Sequence, residues 1–584
     1  MKYISTLLIL CIPIFSHGQS NDWRLISNGQ KIYEHGYCDQ PYVVATGDGT
    51  WVCTFTTSPG QEGDKIQHIV STHSSDQGKT WSVPVEIESA SSGIEASWAM
   101  PLVTRFDRIY VFYTFNGDNV RNLPDGTKMR ADTHGWYCYR YSDDKGKTWS
   151  ERYRLKMRKT ACDRSNDFAG EVQMFWGIGK PVVKGNEVWF SFTKLGKYFL
   201  EKSEGWIYYS DNILTEKEVS RINWKLLPDG DFGIKNPDLG SVQEEFNIQP
   251  MNFKNGLYCI YRTTLGQPAE SYSYDNGRTW SKPELINYAN GMPLRNPRAC
   301  PRLWKCKNDK YLLWYHNNGG KDFSHRNPAW ISGGIEIDGK IYWSQPEIVI
   351  HGPDRTYETG RFSYPDLVEE DGRYWISTTQ KTTATIHEVP VDFFEMLWSQ
   401  FDEYKITSDG LTGTFDDLPD NKKIKLSKPL NMKNGGFAFD LWITINEFKD
   451  AVIFEGKDSK TKNSELTLKS KGILEFTLTN DTDSLKLKSD ENRLETGKKH
   501  HVAILVDAEA GICYMLIDGS ICDGGGQEIF GFTWFNDSLM ETEVKIFEGK
   551  NFPGKIEKLR FYGQQMYSSQ FVNNYNSEKA EMKD

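Results

Sequence analysis

The fold of this chain is indicated first by the stretch Ser273-Tyr274-Asp275-Asn276-Gly277-Arg278-Thr279-Trp280. The same pattern, Ser-x-Asp-x-Gly-x-Thr-Trp, recurs at residues 74–81 and 142–149. Asp hydrogen-bonds back onto a turn backbone, Gly supplies a positive φ, and Trp packs between neighbouring sheets. Each octad therefore predicts a β-turn between two strands, and three copies predict a repeat architecture.

A second repeat underlies the octads. Six segments share a Pro followed by an alternating apolar strand, a polar turn and an aromatic-rich strand, and their prolines are Pro41, Pro101, Pro181, Pro250, Pro301 and Pro365. The spacing of roughly 50–80 residues leaves room for a four-stranded blade plus loops. We therefore expect a six-bladed β-propeller over residues 20–404, with the strand around residues 23–33 joining the last blade.

The composition changes near residue 405. The octads stop, Lys, Asp, Thr and Ser become more frequent, and short apolar strands such as 437–442 and 501–506 follow one another. A chain of 584 residues is also long enough for more than one domain. We predict a β-sandwich of jelly-roll type over residues 405–584, so that the whole chain is all-β.

Charge, leader and cysteines narrow the class of protein. The net charge of −10 argues against nucleic acid as a partner. Lys2, the apolar run 4–15 and a small-residue exit predict a signal peptide over residues 1–19, and hence a secreted or periplasmic protein. No later segment is long and apolar enough to span a membrane. Nine cysteines follow the leader, and we expect either buried thiols or at most one or two disulfides, and not a zinc site.

The first strand of each blade lines the central channel of a propeller, so residues beside the six prolines should converge on one face. The residues expected there are Asp39, Gln40, Trp98, Trp176, Lys180, Glu244, Glu245, Arg298, Arg361 and Tyr364. A crowded axis always collects some polar residues. Two adjacent Glu, several Arg and a Tyr nevertheless predict a functional site.

The octads resemble the Asp-boxes, or BNR repeats, of the sialidase (neuraminidase) superfamily, and the blade pattern covers most of residues 22–400. Within that family a Glu precedes a strand pair that ends in an Arg, and Glu245 and Arg262 are similarly placed. A later family Arg lies after an Asn-Pro-like loop, and Arg326 is similarly placed in residues 316–328; a family Tyr lies in a Tyr-Ser-Asp-Leu-like segment, to which residues 363–367 with Tyr364 are similar. The family acid lies before the first octad, where Glu62, Asp64 and His68 stand.

The resemblance implies a mechanism for these residues. Tyr364 would be the nucleophile, Glu245 would take its proton, and Asp64 or Glu62 would protonate the leaving oxygen. Arg262 and Arg326 would hold a substrate carboxylate. The remaining residues expected to bind substrate are Arg298, Arg361, Asp39, Gln40, Trp98, Glu244 and His68.

The chain departs from the family at the start of the first blade. Sialidases open that blade with Tyr-Arg-Ile-Pro, whereas this chain has Cys38-Asp39-Gln40-Pro41. An acidic side chain facing a substrate carboxylate is repulsive by several kcal/mol when desolvated. Arg298 or Arg361 could take the place of the missing Arg. The Asp-Gln-Pro-Tyr start is also similar to sialidase-like Bacteroidetes propellers that act on uronate-containing polysaccharides.

The C-terminal part resembles laminin-G/concanavalin A-like lectin modules through residues 500–503 and 554–561. Together the two resemblances imply a protein whose partner is a complex acidic glycan or polysaccharide. No cofactor is expected, although Asp-rich loops could hold a structural Ca²⁺.

Three functions stay open at this point, and we favour an exo-acting glycoside hydrolase that removes a terminal acidic or uronate-linked sugar. The second is a polysaccharide lyase on uronates, with His68, His134 or His316 as base and Tyr137 or Tyr364 as proton donor. The third is a non-catalytic glycan-binding protein, because a fold does not imply an activity.

Overall fold

The computed structural model describes residues 22–199, 201–242, 245–353, 361–402, 404–419, 421–458 and 461–582. The predicted leader and Glu244 lie outside these ranges. The described residues form eight antiparallel sheets and three α-helices, which confirms the all-β class. The strand β1 (Gln30–Tyr33) opens the chain of elements.

Six sheets follow one another along the first part of the chain, and we number them 1 to 6. Sheet 1 contains β2 (Tyr37–Ala45), β3 (Trp51–Ser58), β4 (His68–Ser74) and β5 (Val85–Glu88). Sheet 2 contains β6 (Ala96–Val103), β7 (Ile109–Phe115), β8 (Trp136–Ser142) and β9 (Tyr153–Arg154). After α1 (Ala161–Ser165), sheet 3 contains β10 (Phe175–Trp176), β11 (Val182–Lys184), β12 (Glu187–Lys194), β13 (Glu204–Ser210) and β14 (Lys225–Leu227).

The next three sheets repeat the same order. Sheet 4 contains β15 (Phe246–Pro250), β16 (Leu257–Tyr261), β17 (Ala269–Ser273) and β18 (Glu284–Leu285). Sheet 5 contains β19 (Arg302–Lys305), β20 (Tyr311–Tyr315), β21 (Ala329–Ile337), β22 (Lys340–Trp343) and β23 (Glu347–Ile350). Sheet 6 contains β24 (Ser363–Glu370), β25 (Arg373–Thr379) and β26 (Ala384–Val389), and α2 (Val391–Ser399) follows it.

The first strands of several of these sheets pack against one another. Strand β2 contacts β6 and β24, and β19 contacts β15 and β24. The N-terminal strand β1 pairs with β26, with Gln30 opposite Ile386, so that sheet 6 gains its fourth strand from the other end of the segment. This pairing confirms the predicted role of the strand near residues 23–33.

The three octads form the predicted turns with the same hydrogen bonds. In the copy that begins at Ser273, the Asp275 carboxylate accepts the backbone N–H of Thr279 at 2.9 Å and its hydroxyl at 2.6 Å. The central pair Asn276 and Gly277 has φ values of +60° and +86°. Thr80 and Thr148 bond in the same way to the Asp residues of their own octads. Each octad therefore closes its turn with its own side chains.

Three of the first strands contain a β-bulge beside their proline. The register shifts between Asp39 and Tyr42, between Ser97 and Met100, and between Ser363 and Asp366. Inside these bulges Gln40, Trp98 and Tyr364 have φ values of +58°, +65° and +45°. A bulge re-aims side chains locally, and these three lie at the end of the sheets where the site forms.

The second part of the chain is a two-sheet sandwich with thirteen strands among the described residues. They are β27 (Leu411–Leu418), β28 (Lys423–Asn431), β29 (Gly436–Ile445), β30 (Ala451–Lys457), β31 (Lys462–Leu468), β32 (Leu474–Thr479), β33 (Ser484–Lys488), β34 (Lys499–Asp507), β35 (Ile512–Ile517), β36 (Ser520–Ile521), β37 (Phe532–Trp534), β38 (Glu543–Gly549) and β39 (Gly554–Tyr562). The sheets have the orders β27-β39-β29-β34-β35-β36, with β37 beside β35, and β28-β38-β30-β31-β32-β33. Alternate apolar residues of both sheets fill the core between them. The helix α3 (Ser568–Met582) ends the described chain.

The two parts of the protein share a buried core. One apolar cluster contains Trp330 and Ile348 of sheet 5 together with Tyr514 and Phe532 of the sandwich. The Trp330 ring meets the Tyr514 ring edge-on at 5.6 Å between centroids. Because the shared surface is apolar and buried, the two parts pack as a domain core does and are not joined only by a linker.

Nine cysteines lie within the described residues, and all nine are buried free thiols. This is the first of the two arrangements that the sequence left open. Among the described helices, none combines the length and the apolarity that crossing a membrane requires.

Candidate active site

A cavity of about 240 Å³ opens at the end of sheets 1–6 where the bulges lie. Six cationic side chains line it: Arg130, Arg262, Arg298, Arg326, Arg361 and Lys381. The remaining lining residues are Glu62, Trp176, Phe199, Phe323 and Tyr364. They come from the starts of first strands and from the connections between second and third strands. All six sheets therefore contribute to one cavity, and its lining favours an anionic ligand.

Tyr364 lines this cavity and is paired with Glu245, which is fully buried and outside the lining. The Tyr364 Oη donates a hydrogen bond to Glu245 Oε1 at 2.6 Å. The Arg262 Nη1 approaches the same oxygen at 2.8 Å. Tyr364 lies in the bulge of β24, Glu245 directly precedes β15, and Arg262 directly follows β16. The fold thus brings together three residues of which the first and last, Glu245 and Tyr364, are 119 positions apart in the sequence.

Burial and the nearby Glu245 raise the pKa of the Tyr364 phenol well above its usual value. The free phenolate is therefore disfavoured, and the proton can leave only toward an acceptor. Glu245 Oε1 is in place for that transfer, while Glu245 Oε2 has no hydrogen-bond partner among the described residues. The pair is arranged for a phenol that loses its proton as it reacts.

Arginines on one side of Tyr364 face the same space. The Arg326 Nη1 donates to Ser363 Oγ at 2.7 Å, and its buried Nε has no hydrogen-bond partner among the described residues. The guanidinium of the exposed Arg361 lies 5.9 Å from the centre of the Phe323 ring. The backbone carbonyl of Arg298 lies 3.4 Å from Arg262 Nη1. This side can bind a carboxylate by forked, charge-assisted hydrogen bonds.

Carboxylates and cations alternate on the opposite side. The Lys381 Nζ lies 2.6 Å from Asp39 Oδ2, 3.1 Å from Glu62 Oε2 and 4.5 Å from the centre of the Tyr364 ring. The Arg130 guanidinium pairs with Glu62 at 2.9 Å and with Asp132 at 2.6 Å. Lys381 therefore links the carboxylates of Asp39 and Glu62 beside the Tyr364 ring.

The pKa values of Asp39 and Glu62 are shifted in opposite directions. Burial raises the pKa of Asp39, although Lys381 and Tyr37 act in the opposite direction. Burial also acts to raise the pKa of Glu62, but the charges of Lys381 and Arg130 outweigh it and hold that pKa well below its usual value. A proton taken up by this pair therefore resides on Asp39 in the free protein.

Several residues predicted for the site lie outside the cavity lining. Asp64 is exposed and its carboxylate accepts the Gln61 backbone N–H at 2.9 Å, so Glu62 is the acid of this loop that reaches the cavity. The half-buried His68 has its Nδ1 3.0 Å from the Ile66 carbonyl. The loop turns these two side chains away because its own backbone hydrogen bonds hold them.

Two further predicted contacts, Gln40 and Trp98, are fully buried behind the lining. The Trp98 ring lies 4.5 Å from the ring of Trp176, which does line the cavity. Neither polar atom of the Gln40 amide has a hydrogen-bond partner among the described residues. Asp39 is also buried, but it reaches the cavity indirectly through Lys381.

Of the residues named for a lyase, Tyr364 lines the cavity, whereas His68, His134, His316 and Tyr137 do not. His134 is buried and bonds through Nε2 to the Val120 carbonyl at 2.9 Å. Burial and the charge of Arg326 lower the pKa of His316 to about 3, so this ring stays neutral. Tyr137 packs among Phe175, Phe190 and Phe192 in the core. No described residue in this set combines basicity with access to the cavity.

The sequence did not single out four residues of the lining: Arg130, Phe199, Phe323 and Lys381. Each lies in a connection between strands and outside both repeats. The only general signal was that such connections lie at the same end of a propeller as the starts of the first strands. Among the described residues, no group of three or more His, Cys, Asp or Glu side chains could hold a metal ion.

The comparisons with known proteins concern the fold. A family profile described as the concanavalin A-like lectin/glucanases superfamily matches residues 418–570. No curated protein sequence matches the chain. The structure is similar to that of the Trypanosoma rangeli sialidase in complex with sialic acid, at 13% identity and a TM-score of 0.42, with 96% of this chain and 98% of that chain covered.

Two other solved structures are similar at a comparable level. A Hadza microbial sialidase has 17% identity and a TM-score of 0.42, with 61% of this chain and 66% of that chain covered. A protein of unknown function from Dyadobacter fermentans has 16% identity and a TM-score of 0.44, with 62% and 98% covered. The family profile thus shows that the C-terminal part of the chain is similar to the concanavalin A-like lectin/glucanases superfamily.

Proposed function

We propose that this protein is an exo-acting glycoside hydrolase that removes a terminal acidic or uronate-linked sugar from a complex glycan. Sheets 1–6 would be the blades of a six-bladed propeller, and residues 405–584 a concanavalin A-like module. The observation that supports the proposal most is that Tyr364, which lines a cavity with six cations, donates from Oη to the buried Glu245 Oε1 at 2.6 Å.

In the proposed reaction, Tyr364 Oη attacks the anomeric carbon while its proton passes to Glu245 Oε1. The bond from that carbon to the leaving oxygen breaks, and the leaving oxygen takes a proton from a cavity acid. Water then attacks the same carbon and gives a proton to the carboxylate of that acid, the bond from the carbon to Tyr364 Oη breaks, and the phenol regains its proton from Glu245. A phenol is neutral before attack, so it avoids the repulsion that a carboxylate nucleophile would meet beside an anionic sugar. Arg262 and Arg326 would hold the substrate's carboxylate on the other side.

The proton for the leaving oxygen would come from Glu62, which lines the cavity. Because its pKa is low in the free protein, it must be supplied with a proton when substrate is bound. Lys381 can give a proton to Glu62 and receive one from Asp39, which leaves the ammonium unchanged and ionises Asp39. Asp64 would take the role of Glu62 only if its loop turned toward the cavity.

Product analysis tests the proposal. Sialosides, rhamnosyl-glucuronates and uronate polymers are incubated with the protein side by side, and we expect a free acidic sugar or a free uronate-linked residue from one of them. An unsaturated product that absorbs in the near ultraviolet would instead identify a lyase. Tight glycan binding with no product from any substrate would identify a binding protein.

A matched pair of variants assigns the chemistry to the site. Glu245→Gln should lose turnover and keep binding of the substrate. The control is Glu270→Gln, because the half-buried Glu270 also accepts from a tyrosine, Tyr258, at 2.5 Å in the same sheet, but Tyr258 does not line the cavity as Tyr364 does. Equal loss of activity in both variants would contradict the role of Glu245.

A further inference from the structure

A loop of the second domain touches the part of sheet 5 that bears the cavity's arginines. We call residues 523–530 the sandwich loop. The Arg295 Nε lies 3.1 Å from Asp523 Oδ2, and the Gly319 N–H donates to the Ile529 carbonyl at 2.8 Å. The His325 and Phe530 rings meet edge-on at 5.3 Å between centroids. The loop therefore contacts two segments that lead to the cavity: the one that contains Arg295 and the one that contains Gly319 and His325.

The residues touched by the sandwich loop are close in sequence to lining residues. Arg298 follows Arg295 by three positions, and Arg326 follows His325 directly. Phe323 lies between Gly319 and His325. A shift of the touched residues would therefore move three side chains of the cavity lining.

Hydrogen bonds within sheet 5 join these segments into one unit. The Arg298 N–H donates to the Asp322 carbonyl at 2.9 Å. The Asn318 side chain donates to the His316 carbonyl at 3.1 Å and to the His325 carbonyl at 2.9 Å, which closes the connection between β20 and β21. Because the connection is closed on itself, a contact at Gly319 or His325 acts on the whole connection.

The sandwich loop is itself anchored to the shared core. The Ile521 N–H just before it donates to Gln345 Oε1 at 2.9 Å. The Phe532 ring just after it packs 5.7 Å from the Trp330 ring. The Asp523 side chain is buried and its Oδ1 accepts the Gly525 N–H at 2.9 Å. Both ends of the loop are thus fixed against sheet 5.

We propose that the second domain helps to form the ligand-binding cavity. Its sandwich loop positions Arg298, Phe323 and Arg326 so that they can bind the anionic group of the ligand. Asp523, Ile529 and Phe530 are the positioning residues. The role of the arginines toward a sugar rests on the proposed function. The positioning of sheet 5 by the second domain is independent of the proposed function, because it concerns only contacts within this chain.

Hydrogen exchange measured by mass spectrometry tests the positioning directly. In Phe530→Ala we expect amides in residues 295–299 and 316–326 to exchange about tenfold faster, since losing about 1.4 kcal/mol of local stability gives that factor. Asp523→Asn, which removes the ion pair but keeps the size, should act in the same direction. The matched control is Phe415→Ala, because Phe415 is another half-buried Phe of the sandwich, packed on its inner core.

Unchanged exchange of both segments in Phe530→Ala and Asp523→Asn would overturn the proposal. So would equal acceleration in Phe415→Ala, since that result would reflect general loosening. With a substrate identified, Phe530→Ala should raise KM about tenfold with little change in kcat, and Phe530→Tyr should restore KM. If the wild type turns over no substrate, the proposed function fails and the exchange result still decides the positioning.

Discussion

Tyr364 occupies an unusual backbone conformation for an aromatic residue, with a φ of +45°. Such a conformation costs about 1–3 kcal/mol and persists only where the surrounding structure enforces it. Here the bulge of β24 turns the phenol toward Glu245, and the neighbouring Arg262 and Lys381 fix the pair from two sides. The strain therefore coincides with the group that we propose as the nucleophile.

Tyr364→Phe should reduce kcat by at least about a thousandfold and leave substrate affinity within about threefold, because removing a nucleophile affects the reaction far more than binding. Steady-state kinetics and calorimetric binding on the substrate found in the product analysis measure both. Tyr258→Phe, the equivalent change in the pair outside the cavity, serves as control. Retention of a tenth of the activity in Tyr364→Phe would rule out the phenol as nucleophile.

Lys381→Met should destabilise the protein by about 3–5 kcal/mol, since it leaves Asp39 as a buried charge without its cation. The double variant Lys381→Met, Asp39→Asn should regain part of that loss because it also removes the charge of Asp39. Chemical unfolding of the two single variants and the double variant gives the coupling free energy. Strictly additive losses would show that the 2.6 Å contact contributes nothing.

The site residues fall into two groups, according to whether the sequence repeat determines their position in the fold. Glu245 and Tyr364 lie near the repeated prolines, so the repeat could predict that they meet, whereas Arg262 was predicted only from the family resemblance. Arg130 and Lys381 lie in connections whose length and course no repeat determines, and only the structure shows that they reach the cavity. Asp64 and Glu62 illustrate the same limit, since loop hydrogen bonds decide which of two nearby acids faces inward.

At the scale of elements, local chemistry explains what could be predicted. The octad turns followed from the sequence because their own Ser, Asp and Thr side chains make the hydrogen bonds. The bulges at Gln40, Trp98 and Tyr364 did not, because pairing with the next strand produces them. The same holds for α3, whose N-terminus is bound by Glu347 of β23 from the other part of the chain.

Glu347 makes the docking of α3 dependent on pH. Its carboxylate accepts the Ser568 and Ser569 backbone N–H groups at 3.1 and 2.7 Å, and burial raises its pKa from 4.5 to about 7. The folded state therefore binds this proton more tightly than the unfolded state does. The stabilising contribution is complete below pH 4.5 and is lost as the pH rises toward 7.

We therefore expect Glu347 to reduce the free energy of unfolding by about 3 kcal/mol between pH 4.5 and pH 7, relative to a variant that cannot titrate. Urea unfolding of wild type and Glu347→Gln across this range measures the difference. The gap between the two curves should change steadily with pH. Parallel curves would show that Glu347 keeps one charge state throughout.

At the scale of the whole molecule, the shared core makes the two parts interdependent. Trp330 and Ile348 of sheet 5 are buried together with Tyr514 and Phe532 of the sandwich. The sequence indicated a change of composition near residue 405 and hence two domains. It could not show the contact between them, because apolar residues on the outer side of sheet 5 look like any other core residues in the sequence.

A chain that ends at residue 404 should be poorly soluble or unfold well below the temperature of the full chain, because it exposes the apolar surface of sheet 5. Calorimetry should show one transition for the full chain and a lower one for the shortened chain. Adding the 405–584 fragment in trans should recover part of the difference. Equal transition temperatures for both chains would mean that the shared core adds little to stability.

Arg24, which joins the N-terminal segment to the sandwich, affects when the protein can finish folding during synthesis. Its guanidinium is buried between Asp22 and Asp507, at 2.7 Å from each, across 483 positions of sequence. Ribosomes deliver the beginning of a chain long before its end, and domains generally fold in that order. Arg24 therefore cannot pair with Asp507 until the last third of the chain has been synthesised. Folding of the N-terminal segment is thus completed only when synthesis is nearly over.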